Sequence, residues 1–248
     1  PTLQKSMADA YISMGITAEN VASRRNISRR RQEEFALNSH NKAIEAKSNG
    51  YFRDEVVSII IPETNEEIGH DLDGCMRESS LESMARLKPA FIDDGVVTAA
   101  TSSPLTDGSS FSLVASQRAV NEHNLTPMAR IVSAAVVGVH PDEMGLGPIP
   151  STRLALKRAG ISVEDLDVIE LNEAFSSQSL ACIDELNLPV EKINIDGGAI
   201  ALGHPLGASG ARIVGKTASL LQRNGGQYGL ATMCIGGGMG IATILERV

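Results

Sequence analysis

Residues 197–215 read GGAIALGHPLGASGARIVG, and two other dense stretches bracket them along the chain. Asn172-Glu173-Ala174-Phe175 lies upstream, and Cys234-Ile235-Gly236-Gly237-Gly238-Met239-Gly240 lies downstream. Gly203 and Pro205 flank His204. Glycine permits unusual backbone angles and proline fixes φ, so the imidazole is presented on a stiff turn. The small residues Gly207, Ala208, Ser209, Gly210 and Ala211 follow. They suit the first turn of a buried helix, where backbone N–H groups can be approached closely. Cys234 ends an apolar run that starts at Tyr228, and glycines come next. A strand that stops at a cysteine and turns on glycines leaves a thiol beside free N–H donors. A thiol, an imidazole and N–H donors are the parts that acyl transfer or carbanion chemistry needs. Each part also has a plainer reading. A His in a Gly/Pro loop can be a loop residue only, a buried Cys can be a small hydrophobe, and a glycine run can be a turn.

Taken together, the order and spacing of these stretches resemble the C-terminal motifs of the thiolase family. Members of that family join or cleave acyl-CoA at a carbon–carbon bond. The likeness continues through Met14-Gly15-Ile16-Thr17-Ala18-Glu19-Asn20-Val21-Ala22, and from Leu87-Lys88-Pro89-Ala90-Phe91 to Asp107-Gly108. It implies an α/β, thiolase-like fold, with a mixed sheet layered with helices plus an α+β loop lobe. Residues 1–106 would be the lobe that covers CoA. Residues 107–127 would pair with an N-terminal half, and 128–248 would form the C-terminal domain. The nucleophilic cysteine of a thiolase belongs to that N-terminal half, which has no counterpart here. The chain, starting at Pro1, therefore reads as the C-terminal two-thirds of a thiolase.

The resemblance also implies roles. His204 would take the proton from the nucleophilic cysteine. Cys234 would remove the α-proton of a second acetyl-CoA, or protonate the leaving carbanion in thiolysis. The Gly236 N–H would serve one oxyanion site, and His204 with a water held by Asn172 the other. Ser103 and Arg77 match CoA-contacting positions, Met14 a position beside the acyl pocket, and Ala174 and Phe175 substrate-binding positions. No metal and no cofactor is implied, because CoA and acyl-CoA are substrates. A homodimer or homotetramer is implied for the complete protein. Asp196 stands where many thiolases carry Asn, and Ser13 where some short-chain members carry His; both bear on acyl preference. Glu173 could instead be a general base. Cys75 is flanked by acidic groups that raise a thiol's pKa, opposed by Arg77, and reads as non-catalytic. Cys182, among Ser, Leu, Ala and Ile, reads as core. A competing reading is a non-catalytic module that binds CoA or a partner. A ketoacyl synthase is disfavoured by the Cys234-x-Gly236 motif.

Composition narrows the field. The 248 residues suffice for one large domain or two modest ones, and 42% hydrophobic residues supply a core. A net charge of −8 and 3% aromatics argue against nucleic-acid binding. No apolar run is long enough to span a membrane, and no signal peptide is visible. The three cysteines are odd in number and widely spaced, which favours a reducing compartment. That compartment is the cytoplasm, or mitochondria or peroxisomes in a eukaryote.

Local signals predict two helical pieces within 1–30, then a long helix capped by Ser28 and stopped by Gly50. A strand is predicted over 55–61, ended by Pro62, with a surface loop over 64–74. A short helix follows at 79–87, a strand at 96–99, and a strand at 110–116 leading into a helix. From Met128 a βαβα pattern with an added hairpin is expected. Its first strand, 131–139, is continuously apolar and so reads as buried on both faces. Arg24, Arg25, Arg29, Arg30 and Arg31 form a basic cluster, either a solvated helix start or an attraction for CoA phosphates.

Overall fold

A computed structural model of the chain describes residues 11–61, 64–68 and 74–248. The start of the expected helical N-terminus, Pro62 and residues 69–73 of the expected loop lie outside these residues. Helix α1 (Met14–Arg24) is followed by α2 (Arg29–Ser48). Ser28 accepts a hydrogen bond from the Arg31 N–H, as its position predicts; such a cap contributes about 1 kcal/mol. A three-residue ladder joins β1 (Ile59–Ile61) to β2 (Glu66–Ile68), antiparallel. The strand predicted from residue 55 thus begins only at Ile59. Glu55 is instead held by Lys216 and Ser219. Part of the predicted loop is a strand. Helix α3 (Leu81–Ala85) starts at a reciprocal Ser80–Ser83 cap.

Two further predictions fail. No strand forms over 96–99, where the amides of Val96 and Val97 donate to the Glu19 carboxylate at 2.9–3.0 Å. A 3-10 turn, Ala99–Thr101, follows. Residues 110–116 join no strand ladder among the described residues; Ser110 and Ser112 donate to the Ala208 and Ala211 carbonyls, and Phe111 and Leu113 are 94% and 82% exposed. Helix α4 (Gln117–Glu122) comes next, as expected.

The remaining chain builds the central sheet. Its elements are β3 (Ala129–Gly138), α5 (Pro148–Ala159), β4 (Leu166–Leu171), α6 (Ser176–Leu186), α7 (Ala199–Leu202), α8 (Leu206–Asn224), β5 (Tyr228–Ile235) and β6 (Met239–Arg247). The strand order is β3-β6-β5-β4, with β4 and β5 parallel and β6 antiparallel to both its neighbours. Alternation along β4 explains the layering. Ile169 and Leu171 join Leu156, Leu180 and Ile183 from α5 and α6 in one core. Val168 points the other way, to Leu220 and Leu221 of α8. Strand β3 departs from expectation. It is an edge strand with one covered face, through Val132 and Ala135, while Ile131 and Val136 stay about half exposed. Gly160 ends α5 in the left-handed region, φ 71°, where glycine carries no Cβ penalty. Among the described residues, no helix is long and apolar enough to cross a membrane.

Candidate active site

The carboxyl ends of parallel β4 and β5 lie side by side, where α/β folds gather functional groups. Asn172 follows β4 directly, and its N–H donates to the Thr232 carbonyl of β5 at 3.0 Å. Its side-chain Nδ2 lies 3.3 Å from His204 Nε2. On the other side of the ring, Nδ1 is 2.6 Å from Ser209 Oγ. Ser209 donates its own proton to the Pro205 carbonyl at 3.1 Å, so its oxygen accepts from Nδ1–H. That fixes the tautomer: the Nε2 lone pair faces Asn172. Burial, aided by the nearby Arg212 cation, lowers the His204 pKa and keeps the ring neutral. Asn172 Oδ1 is buried with no hydrogen-bond partner among the described residues.

Cys234 sits at the end of β5, opposite Gly240 of β6. It is buried against Met144, Ala174, Phe175, Ala18 and Val97, with Met14 packed beside them. Burial pushes its thiol up to about 12, so it rests protonated. The turn after it needs glycine twice, since Gly237 and Gly238 have φ of 85° and 94°. A Cβ on Gly236 would lie 3.7 Å from Met14 Sδ, so Met14 borders this turn.

Ser103 is tied to the same place. Its N–H and Oγ both donate to the Ala174 carbonyl, at 3.0 and 3.1 Å. Ser102 bridges to Phe175, and Phe175 meets Phe91 edge-on at 5.9 Å. Farther along, Thr106 closes on Gly203, and Gly108 on Pro205. The structure therefore gathers Asn172, His204, Cys234, Gly236, Ser103, Met14, Ala174 and Phe175 around adjoining loops. Arg77 is not among them. It is exposed, and its charge bears on the buried His40 of α2 rather than on His204.

The basic cluster favours the bland reading. Arg24 pairs with Asp142 and Glu143, Arg25 with Glu185, Arg29 with Glu33, Arg30 with Glu34, and Arg31 with Asp184. Glu173 is fully enclosed and accepts hydrogen bonds from Ser39, Asn194 and the Ile200 N–H. A general base must reach its substrate, and this carboxylate is 2% exposed and turned onto those three donors. Cys182 is buried and donates to the Gly145 carbonyl, and burial raises its pKa well beyond the ordinary thiol range. Half-buried Cys75 lies in the stretch that carries Arg77. Two groups escaped the sequence reading: Ser209, which orients His204, and Arg212, which lowers its pKa. Both lie on α8, within eight residues of the His. A hydroxyl and a cation on the first turns after the His loop were the available signal.

Comparison with known proteins bears on the family and the fold. The profile described as thiolase, N-terminal domain, matches residues 2–118, and that described as thiolase, C-terminal domain, matches 125–247. The 3-ketoacyl-CoA thiolase of Serratia proteamaculans is 50% identical over 262 aligned residues, covering 100% of this chain and 66% of that protein. That of Yersinia enterocolitica is 49% identical with the same coverage. The chain thus spans about two-thirds of the length of these curated relatives. Among solved structures, human mitochondrial 3-ketoacyl-CoA thiolase in complex with CoA superposes with a TM-score of 0.89 at 42% identity, over 96% of this chain and 59% of that one. Bacillus anthracis acetyl-CoA acetyltransferase gives 0.90 at 43% identity, over 96% of this chain and 60% of its own. With its motifs, its fold and both profiles in agreement, the chain belongs to the thiolase family.

Proposed function

We propose that the protein to which this chain belongs is an acyl-CoA C-acyltransferase. It would cleave 3-ketoacyl-CoA with CoA, or condense acetyl-CoA in reverse, through an acyl-cysteine. The observation that carries the reading is the meeting of the Asn172–His204 pair with the Cys234 turn at the ends of β4 and β5. His204 Nε2, unprotonated, is suited to take a thiol proton and generate the thiolate nucleophile. The resting protonated Cys234 is suited to hand a proton to the carbanion that forms when the carbon–carbon bond breaks. Gly236, in the glycine turn, offers an N–H to one developing oxyanion, and His204 with Asn172 serves the other. The acyl acceptor is a further thiol. Cys182 is sealed in the core, and Cys75 lies two residues from Arg77 in the lobe read as covering CoA, so we assign neither to that place.

On this reading residues 1–106 form the lobe that covers CoA, 107–127 pair with an N-terminal half, and 128–248 carry the catalytic loops. Ser103, Met14, Ala174 and Phe175 border the acyl-CoA, and Arg77 reaches its outer part. CoA is a substrate, and no other cofactor takes part. The working assembly is a homodimer or homotetramer. Free, widely spaced cysteines favour the cytoplasm.

The test is thiolysis of acetoacetyl-CoA by the full-length protein, followed through loss of enolate absorbance. Turnover is expected, with Cys234→Ala and His204→Ala each losing about 10²–10⁴-fold, the usual contribution of a positioned acid or base. CoA binding without turnover would instead identify a non-catalytic CoA-binding protein.

A further inference from the structure

Glu173 follows Asn172 in sequence, yet it grips a different loop. One carboxylate oxygen, Oε1, accepts from Asn194 Nδ2 at 2.8 Å. The other, Oε2, accepts from Ser39 Oγ at 2.6 Å and from the Ile200 N–H at 3.2 Å. Ser39 Oγ in turn accepts the Gly198 N–H at 3.0 Å. Gly198 and Ile200 are the N-cap and second residue of α7, and α7 leads through Gly203 directly to His204. The fit is close. A Cβ on Gly198 would lie 2.1 Å from the Glu173 carboxyl carbon, and one on Gly197 would lie 2.6 Å from the Ala43 Cβ.

We propose that Glu173 is the positioning residue that sets the His204 imidazole against the Asn172 amide, its carboxylate joining the end of β4 to the start of the His204 loop. The inference rests on the acyltransferase reading of the site. The geometry demands a carboxylate in particular, because every partner is a donor. Asn194 cannot turn its oxygen toward Glu173, since its Oδ1 accepts the Leu171 N–H at 2.9 Å while its Nδ2 also donates to the Leu171 carbonyl at 2.8 Å. A glutamine at 173 would therefore set a donor against a donor, whichever way its amide is turned. Burial raises the Glu173 pKa, opposed by the donors named above and by the Lys42 cation. Asn172, whose neighbour is anchored in this way, has its own backbone fixed to β5 by the Thr232 carbonyl. The separation of Asn172 from His204 is thus set by one residue reaching between two loops.

The experiment compares wild type, Glu173→Gln and Ser39→Ala in the full-length protein. It measures kcat and KM for thiolysis, the melting temperature, and the rate at which diethyl pyrocarbonate modifies His204, mapped by mass spectrometry. Exposed His123 and His140 serve as internal references. Glu173→Gln is expected to lower kcat about 10–100-fold, the scale of a misplaced catalytic group. KM should change little, and the reactivity of His204 should change relative to the references. Ser39→Ala, which loses one donor to the Glu173 carboxylate and the acceptor of the Gly198 N–H but leaves the Asn194 and Ile200 contacts, should move both readouts in the same direction by less. Wild-type kcat and wild-type His204 reactivity in a Glu173→Gln protein that merely melts earlier would overturn the proposal, leaving Glu173 a stabilising residue. Should Glu173→Gln not fold, Ser39→Ala decides by the same criteria. Should the wild type show no turnover, the functional reading fails, and His204 reactivity alone judges Glu173.

Discussion

His204 is restrained at both nitrogens, and the two restraints do different things. Ser209 receives the Nδ1 proton at 2.6 Å and so selects the tautomer; Asn172 meets the basic Nε2 at 3.3 Å. Ser209→Ala leaves Nδ1–H without its acceptor and lets the ring adopt the other tautomer. In the full-length protein, steady-state thiolysis by this variant is expected to show kcat about 10-fold lower, below the full worth of a general base because the imidazole remains. The acid side of the pH profile follows from burial. A base works only when neutral, and His204 is shifted below its ordinary value of 6.5. The acid limb of kcat/KM is therefore expected to fall off below pH 6.5, not at it. A limb at or above 6.5 would show that burial does not govern this ring.

At the scale of elements, the glycine turn between β5 and β6 is fixed from behind by α5. A Cβ on Gly240 would lie 2.0 Å from the carbonyl carbon of Gly147, the residue that opens α5. Both partners are backbone, so neither can swing aside. Gly240→Ala is expected to destabilise by about 3 kcal/mol, at the upper end for overpacking, read from the denaturant midpoint. Much of this was legible in the sequence. Ser28 announced α2, Gly160 announced the end of α5, and the run into Cys234 announced β5. The failures turn on long-range partners, present or missing, that local pattern cannot reveal. Val96 and Val97 look like a strand but give their amides to Glu19, 77 and 78 positions away. The apolar run of β3 looks doubly buried, yet it lies at the sheet edge. The site divides in the same way. His204, Cys234 and Asn172 stand out as motif residues. The Ser39–Glu173–Asn194 contacts join parts of the chain that meet only in three dimensions.

For the molecule as a whole, the stretch 105–114 leaves several large apolar side chains open. Leu105, Phe111, Leu113 and Val114 are 75–96% exposed, and Ile131 and Val136 are open on β3. Large apolar side chains so exposed and so close in sequence are unusual on a protein that functions alone. The 248-residue chain by itself is expected to self-associate in sedimentation velocity as concentration rises. The double change Phe111→Ser and Leu113→Ser should reduce that association without changing the fold. The strand order has a further consequence, for synthesis. Strand β6 lies between β3 and β5, yet it is the last of the four to leave the ribosome. Until residues 239–247 emerge, β3 has no partner and β5 is paired on one side only. The nascent chain therefore carries β3 unpaired from Gly138 until β6 emerges, whereas β5, which ends at Ile235, waits only the few residues to Met239. The turn that holds Cys234 closes only when β6 is in place, after β3 and β4 have already emerged.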